Sequence, residues 1–309
     1  MRWKRGQRLK VVSESDAPGP TRKIFGEIRQ CLGVPAVPKL YQAYAAFPQF
    51  LARHWGAFRP VLQSREFFLS GSRLTAESYT RVHNYFEVRS FRHSDAPPQV
   101  PTFLSLGQVL DYYQYLDPLL LLISAAQMQA FEGPVGRQER SPEPAQHPDF
   151  ATPPSLLHDA QASVDVQHSW NRRKRALELT FVSDEHRALA CWPEFYDEYW
   201  AALKELFESP VYADCQYRLV DSALRCGGEL PVRVETSVTE LLDAGMNDEQ
   251  VASVVHINEA FVQAMTALLL DVTFARIGCE KGASTEEVPL SQPATKPLQE
   301  KINSPFRAA

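Results

Sequence analysis

Asp184, Asp117 and Lys39 are the side chains whose types and settings could do chemistry. Asp184 follows Val182 and Ser183 just ahead of a helical pattern. A carboxylate there can cap the free backbone N–H groups of the helix. Partly desolvated, it can instead be aimed at a water and take its proton as the water attacks, which is general-base chemistry. Asp117 stands inside the apolar stretch Tyr115-Leu116-Asp117-Pro118-Leu119-Leu120, where a charge is costly unless it is paired, protonated or reached by water. Pro118 is expected to open the helix to water there, because its missing N–H leaves a carbonyl one turn upstream without a donor. A buried aspartate neutralised by a neighbour is the alternative. Asn258, polar within another apolar helix, reads as its counterpart, and the two together point to a polar cavity between two halves of the chain. Lys39 reads as a surface lysine, or as a cation that attracts an anionic substrate or neutralises one of the aspartates.

The elements that must position these groups are helices. Ile24, Ile28 and Leu32 recur at helical spacing before Gly33 and Pro35 end the run. Phe50, Trp55, Phe58 and Leu62 share one helical face, as do Phe195, Tyr199, Trp200, Leu203 and Phe207. Residues 109–126 and 251–277 predict long, largely buried helices. Residues 230–238 are the best stretch for a strand, and a weak one. The fold class is therefore all-α.

A worn duplication organises these helices. Residues 37–50 align with 182–195, and the register holds without a gap to Trp55 and Trp200. Each copy reads as helix, proline break, helix, with Pro48 and Pro193 opening the second helix. Lys39 in the first copy stands opposite Asp184 in the second. Two pseudo-symmetric repeats follow, like a fused homodimer, with the site between them. The expected layout is a disordered basic arm over 1–19, a helical repeat over 20–133, a Pro-rich linker over 134–159, a second repeat over 160–280 and a disordered tail over 281–309.

The bulk properties exclude several classes. A net charge of -5 argues against a nucleic-acid binder. No apolar run is read as long enough to cross a bilayer. Five cysteines without a C-x-x-C pair give neither a disulfide framework nor zinc spacing, so a reducing cytoplasm is expected. The eight histidines form no paired-ligand motif, and no phosphate-binding or nucleophile-elbow motif occurs. The basic run Arg172-Arg173-Lys174-Arg175 reads as a solvated helix face.

The segment Val182-Ser183-Asp184-x-x-Arg187-x-Leu189-x-x-Trp192-Pro193-x-Phe195 resembles the catalytic segment of the group I 2-haloacid dehalogenases, which act on both enantiomers of their substrates. Leu32-Gly33-Val34-Pro35, Phe47-Pro48-x-Phe50 and Trp55-x-Ala57-x-x-Pro60 resemble that family's first repeat, and Leu110-Asp111 through Leu121 the helix that ends it. The resemblance implies an all-α fold of two pseudo-symmetric repeats with the active site between them. It implies hydrolysis of short 2-haloalkanoates without metal, cofactor or covalent ester: the aspartate matching Asp184 activates a water that displaces halide at C2 with inversion.

This sequence departs from the family pattern at four pocket positions. Ala36 stands where the family has tryptophan, Lys39 where it has phenylalanine, Leu120 where it has tyrosine, and Asp117 where it has the asparagine that helps to hold the water. Asp117 is then expected to share a proton with Asp184 or to raise a pKa in the pocket.

The resulting expectation is Asp184 as base and Asp117 as its assistant, with Ser183, Val182, Lys39, Ala36 and Leu120 around a small carboxylate substrate. No nucleic-acid or membrane partner is expected, and the fused halves could dimerise further. The alternative is a diverged relative whose cavity binds another small molecule, Asp184 being only a cap and Lys39 its partner.

Overall fold

The apolar periodicity is realised as helix throughout. The computed structural model describes residues 10–91, 98–138, 142–177, 179 and 181–285, which form eleven α-helices. α1 (Gly19–Leu32) buries Phe25, Ile28 and Leu32 and stops at Gly33, whose φ of 62° makes a left-handed cap. Gly33 has a second reason to lack a side chain, since a Cβ there would meet His147 and the Pro148 carbonyl. α2 (Lys39–Tyr44) is followed by α3 (Pro48–Leu62), and α7 (Asp184–Leu189) by α8 (Pro193–Leu206). Pro48 and Pro193 each occupy a first turn, where the absent N–H would have no partner. The chain enters both helices by the same backbone step, φ/ψ −125°/81° at Phe47 and −110°/88° at Trp192.

The correspondence extends outward from this pair. The starts of α1, α2, α3 and α4 (Arg65–Tyr85) recur at one constant offset as the starts of α6 (Val164–Ala176), α7, α8 and α9 (Pro210–Gly228). α5 (Leu106–Ala130) closes the first series; α10 (Val238–Asp243) and α11 (Asp248–Thr285) close the second. α5 and α11 pack along each other at the centre, with α4 and α9 against both. α11 is long and apolar enough to span a bilayer, contrary to the sequence expectation, but 83% of its most apolar window is buried in the bundle. Its hydrophobic surface is core.

Two further expectations need correction. α5 does not break at Pro118: the helix is continuous and Asp117 is buried within it. The carbonyl that loses its helical donor, Gln114 O, instead accepts from Thr75 Oγ1 of α4 at 3.3 Å. A tertiary hydroxyl thus replaces the missing N–H, so water is not required there. Residues 230–238 form no strand, only an isolated bridge between Val234 and Val135.

The expected arm and tail fall partly outside the described residues, at 1–9 and 286–309. Within the described part, Val12 N donates to Gln42 O (2.9 Å) and Glu14 accepts from Val37 N (2.8 Å), while α11 continues through Thr285. The Pro-rich segment is tied to the helices: Ala145 N donates to Gln63 O (2.8 Å), Phe150 N to Gly33 O (2.9 Å) and Leu157 N to Arg187 O (3.1 Å). It therefore serves as a wall of the interior.

Candidate active site

The N-terminal ends of α2 and α7, the middle of α5, one face of α11 and the Pro153–Leu156 part of the Pro-rich segment enclose a cavity of about 130 Å³. Helices of both series thus contribute to it. Its apolar lining includes Leu116, Leu120, Phe181, Phe261, Met265 and Leu268, and its acidic and basic side chains are Lys39, Asp117, Asp184 and Glu185, with the phenols of Tyr112 and Tyr113 beside them. Drug-sized ligands occupy roughly 300–1,000 Å³, so this space suits a molecule of only a few heavy atoms. A larger groove of about 1000 Å³ runs along α4 and α5. Its Arg65 and Glu143 are exposed and pair with each other at 2.6 Å, and its Asp111 pairs with Arg276 at 2.9 Å, so the smaller cavity is the better place for chemistry.

The local fold frees Asp184 for use. Ser183 is the N-cap of α7, its Oγ accepting from His186 N at 3.3 Å, and Asp184 is the first residue inside the helix. Capping therefore belongs to Ser183. The Asp184 side chain is 31% exposed, at the cavity mouth, with Lys39 Nζ 3.9 Å from Oδ2. Burial pushes its carboxyl above the usual aspartate range; Lys39 and then Arg187 pull it back. A carboxylate that is partly dry, uncapped and held by a loose ion pair is suited to accept a proton. Lys39 Nζ also donates to Gln42 Oε1 at 3.3 Å, which fixes it over the mouth.

Asp117 is coupled to Glu185, a residue the sequence reading missed, and its carboxyl is raised, one of the two outcomes expected for an acid at this position. The two side chains, on α5 and α7, both line the cavity and are close enough for each to act on the other's charge. Burial pushes both carboxyls well above the ordinary range, and Asp271 adds to the effect on each. Two adjacent buried carboxyls cannot both ionise, so the pair keeps a proton at neutral pH. Glu185 looks in sequence like an ordinary acid in a first helical turn. Its burial is decided by packing of α7 against α5, which no local signal records.

A second buried network holds α7 in place. Arg173 of α6 is ion-paired to Asp271 of α11, which also accepts from Tyr212 OH at 2.6 Å. His186 Nε2 lies 3.3 Å from Asp271 Oδ2, and Tyr196 OH lies 3.2 Å from Nδ1. Burial pushes the His186 ring below its usual range, opposed by Asp271, so a neutral ring donates from Nε2 and accepts at Nδ1. Arg173 thus corrects the expectation of a solvated basic run. On the other side, Arg187 binds Leu157 O (3.0 Å) and Asp159 (2.7 Å) and lies 4.8 Å over the Trp170 ring. It fastens the Pro-rich wall to the helix that carries Asp184.

The structure brings Ala36, Lys39, Asp117, Leu120, Ser183 and Asp184 to one cavity. Val182 is not among its lining residues and packs against the hydrophobic core. Asn258 is also elsewhere: it accepts from Tyr44 OH (2.5 Å) and donates to Ser124 O (2.9 Å) between α2, α5 and α11. Its polarity serves helix packing. No cluster of three metal-ligating side chains occurs among the described residues.

These features define an all-helical protein with a small, acid-lined cavity between its two helical series. Residues 35–186 match the family described as halocarboxylic acid dehydrogenase DehI. The chain is similar to an (R)-2-haloacid dehalogenase of Pseudomonas putida, 24% identical over 277 residues, covering 86% of this chain and 91% of that protein. It is also similar to an (R)-2-haloacid dehalogenase of Rhizobium sp. (strain NHG3), 21% identical over 232 residues, covering 72% and 88%. Among solved structures, a D-2-haloacid dehalogenase mutant in complex with D-2-CPA has a TM-score of 0.78 at 22% identity, covering 89% of this chain and 97% of that one. A complex of D-2-haloacid dehalogenase with L-LA has a TM-score of 0.75 at the same identity and coverage. The structural likenesses establish the all-helical fold. The sequence matches support the haloacid dehalogenase family.

Proposed function

We propose that this protein is a carbon–halide hydrolase acting on short 2-haloalkanoates, with Asp184 as general base. The observation that carries the reading is a partly desolvated, uncapped carboxylate at the mouth of a cavity only about 130 Å³ in size. The family match and the two curated relatives support it. Asp184 takes a proton from water while the water oxygen forms a bond to C2. The carbon–halide bond breaks with its electron pair leaving on the halide, and C2 inverts. The proton on Asp184 returns to solvent through the open mouth. Lys39 draws the substrate carboxylate in, Asp117 faces the bound acid from the α5 wall, and Ala36 and Leu120 shape the apolar side of the pocket. The two helical series are two copies of one ancestral half, only one of which carries the base, and the protein works in the cytoplasm as its free thiols suit.

The resemblance in sequence is to enzymes of both hands, whereas the curated relatives are named for the (R) hand. We take the (R)-2-haloacid as the preferred substrate. Purified protein is expected to release halide from (R)-2-chloropropionate with a higher kcat/KM than from the (S) form. No release from either enantiomer, or from their bromo analogues, would remove the reading.

The pH dependence follows from the charges around the base. Activity needs ionised Asp184, so kcat/KM falls as pH drops through its raised pKa. Lys39 favours the ionised form. Lys39→Met should therefore move the acidic limb of kcat/KM to higher pH and raise KM for the anionic substrate. An unmoved limb would show that Lys39 does not act on the base.

A further inference from the structure

The inner wall of the cavity holds a pair of carboxyls, and among the described residues no free cation is seen to match them. Asp117 and Glu185 are 3% and 2% exposed. Among the described residues, no N–H or O–H donor reaches Asp117 Oδ2 or either oxygen of Glu185. Arg173, whose positive field reaches Glu185, is already bound to Asp271 and Tyr212. Lys39 stands at the mouth with Asp184 and Gln42. Tyr112 and Tyr113 on α5, and Tyr199 on α8, are phenols whose burial keeps them neutral. His186 is neutral as well, and Asp271 contributes negative charge from α11. Burial and Asp271 favour protons on the pair, and the field of Arg173 opposes them at Glu185. A protonated carboxyl can donate a hydrogen bond, whereas a carboxylate can only accept one.

We propose that the Asp117–Glu185 pair is the anion-binding end of the cavity, Glu185 donating to Asp117 and Asp117 Oδ2 donating to the carboxylate of the bound acid. This rests on reading the cavity as a site for short carboxylic acids. It assigns Glu185 a function and makes binding proton-linked. A pair that holds one proton in the free protein takes up a second as the anion enters, because two ionised oxygens would repel it. The cavity thereby favours short monocarboxylates over neutral amides of equal size, which need no such donor.

The test uses propionate, which carries no halogen, so its binding is read independently of catalysis. Titration calorimetry of the full-length protein at mildly alkaline pH, in buffers of different ionisation enthalpy, should show uptake approaching one proton per propionate bound. Affinity should fall up to about tenfold per pH unit above the first ionisation of the pair, the step that leaves it with one proton. Asp117→Asn supplies an amide donor that needs no proton, so it should bind propionate without this uptake and with a flatter pH dependence. Glu185→Gln keeps a neutral donor to Asp117 and leaves Asp117 as the seat of the linked proton, so the uptake should persist; its loss in this variant would place the proton elsewhere and count against the proposal. If one variant does not fold, the other still decides. No saturable propionate binding, binding without proton uptake, or uptake that survives in Asp117→Asn would overturn the proposal. Proton-linked binding without halide release would remove the hydrolase reading and leave this one standing; halide release without the linkage would do the reverse.

Discussion

Asp184→Asn should leave a folded protein that binds substrate and releases halide about 10²–10⁴ times more slowly than the wild type, the usual loss when a general base is removed. The amide is nearly isosteric with the carboxylate but cannot take a proton at neutral pH. Because Ser183 caps α7, the substitution removes no cap. It also removes the desolvation cost of a partly buried charge, so thermal stability should be equal or slightly higher. Steady-state halide release and a melting curve on the same preparation check both halves of this expectation. A large loss of stability together with activity would indicate that Asp184 is structural. That outcome would favour the alternative of a diverged relative with an idle cavity.

Arg173→Met should cost about 3–5 kcal/mol of stability, the range for breaking a buried ion pair from one side. Arg173 and Asp271 have side chains 4% and 0% exposed, so no water can take over from the lost guanidinium. The remaining Asp271 would also lose its partner in the contact that ends at His186, two residues beyond the base. Urea denaturation of variant and wild type at pH 7 gives the difference directly. The variant should lose halide release even where it remains folded, since α7 is then less firmly placed. A difference below about 1 kcal/mol, the range of an exposed pair, would mean that Asp271 has found another partner.

The helices were legible because their signals are local. Phe50, Trp55, Phe58 and Leu62 repeat at helical spacing, and Pro48 and Pro193 mark the next helix starts with a missing N–H. Asp184 was legible for the same reason, as an acid beside Ser183 before a helix. The partners of these residues were not, because they come from far along the chain. Arg173 looks solvated until Asp271 of α11 is brought against it. Pro118 looks like a break until Thr75 of α4 reaches the orphaned carbonyl of Gln114. Glu185 is one residue from the base and gives no sign of burial until α5 packs over it. Asn258 and Asp117 look alike in sequence, as polar groups in apolar helices, yet one is a packing bond and the other lines the cavity.

In the proposed reaction Asp184 activates a water and does not itself attack carbon. A single turnover in oxygen-18 water, with enzyme in excess over (R)-2-chloropropionate, distinguishes the two. Direct attack by water places the heavy oxygen in the 2-hydroxy acid at the first turnover and leaves the protein unlabelled, which is the predicted result. Unlabelled hydroxy acid, with heavy oxygen appearing in the Asp184 peptide, would show a covalent ester and contradict the account.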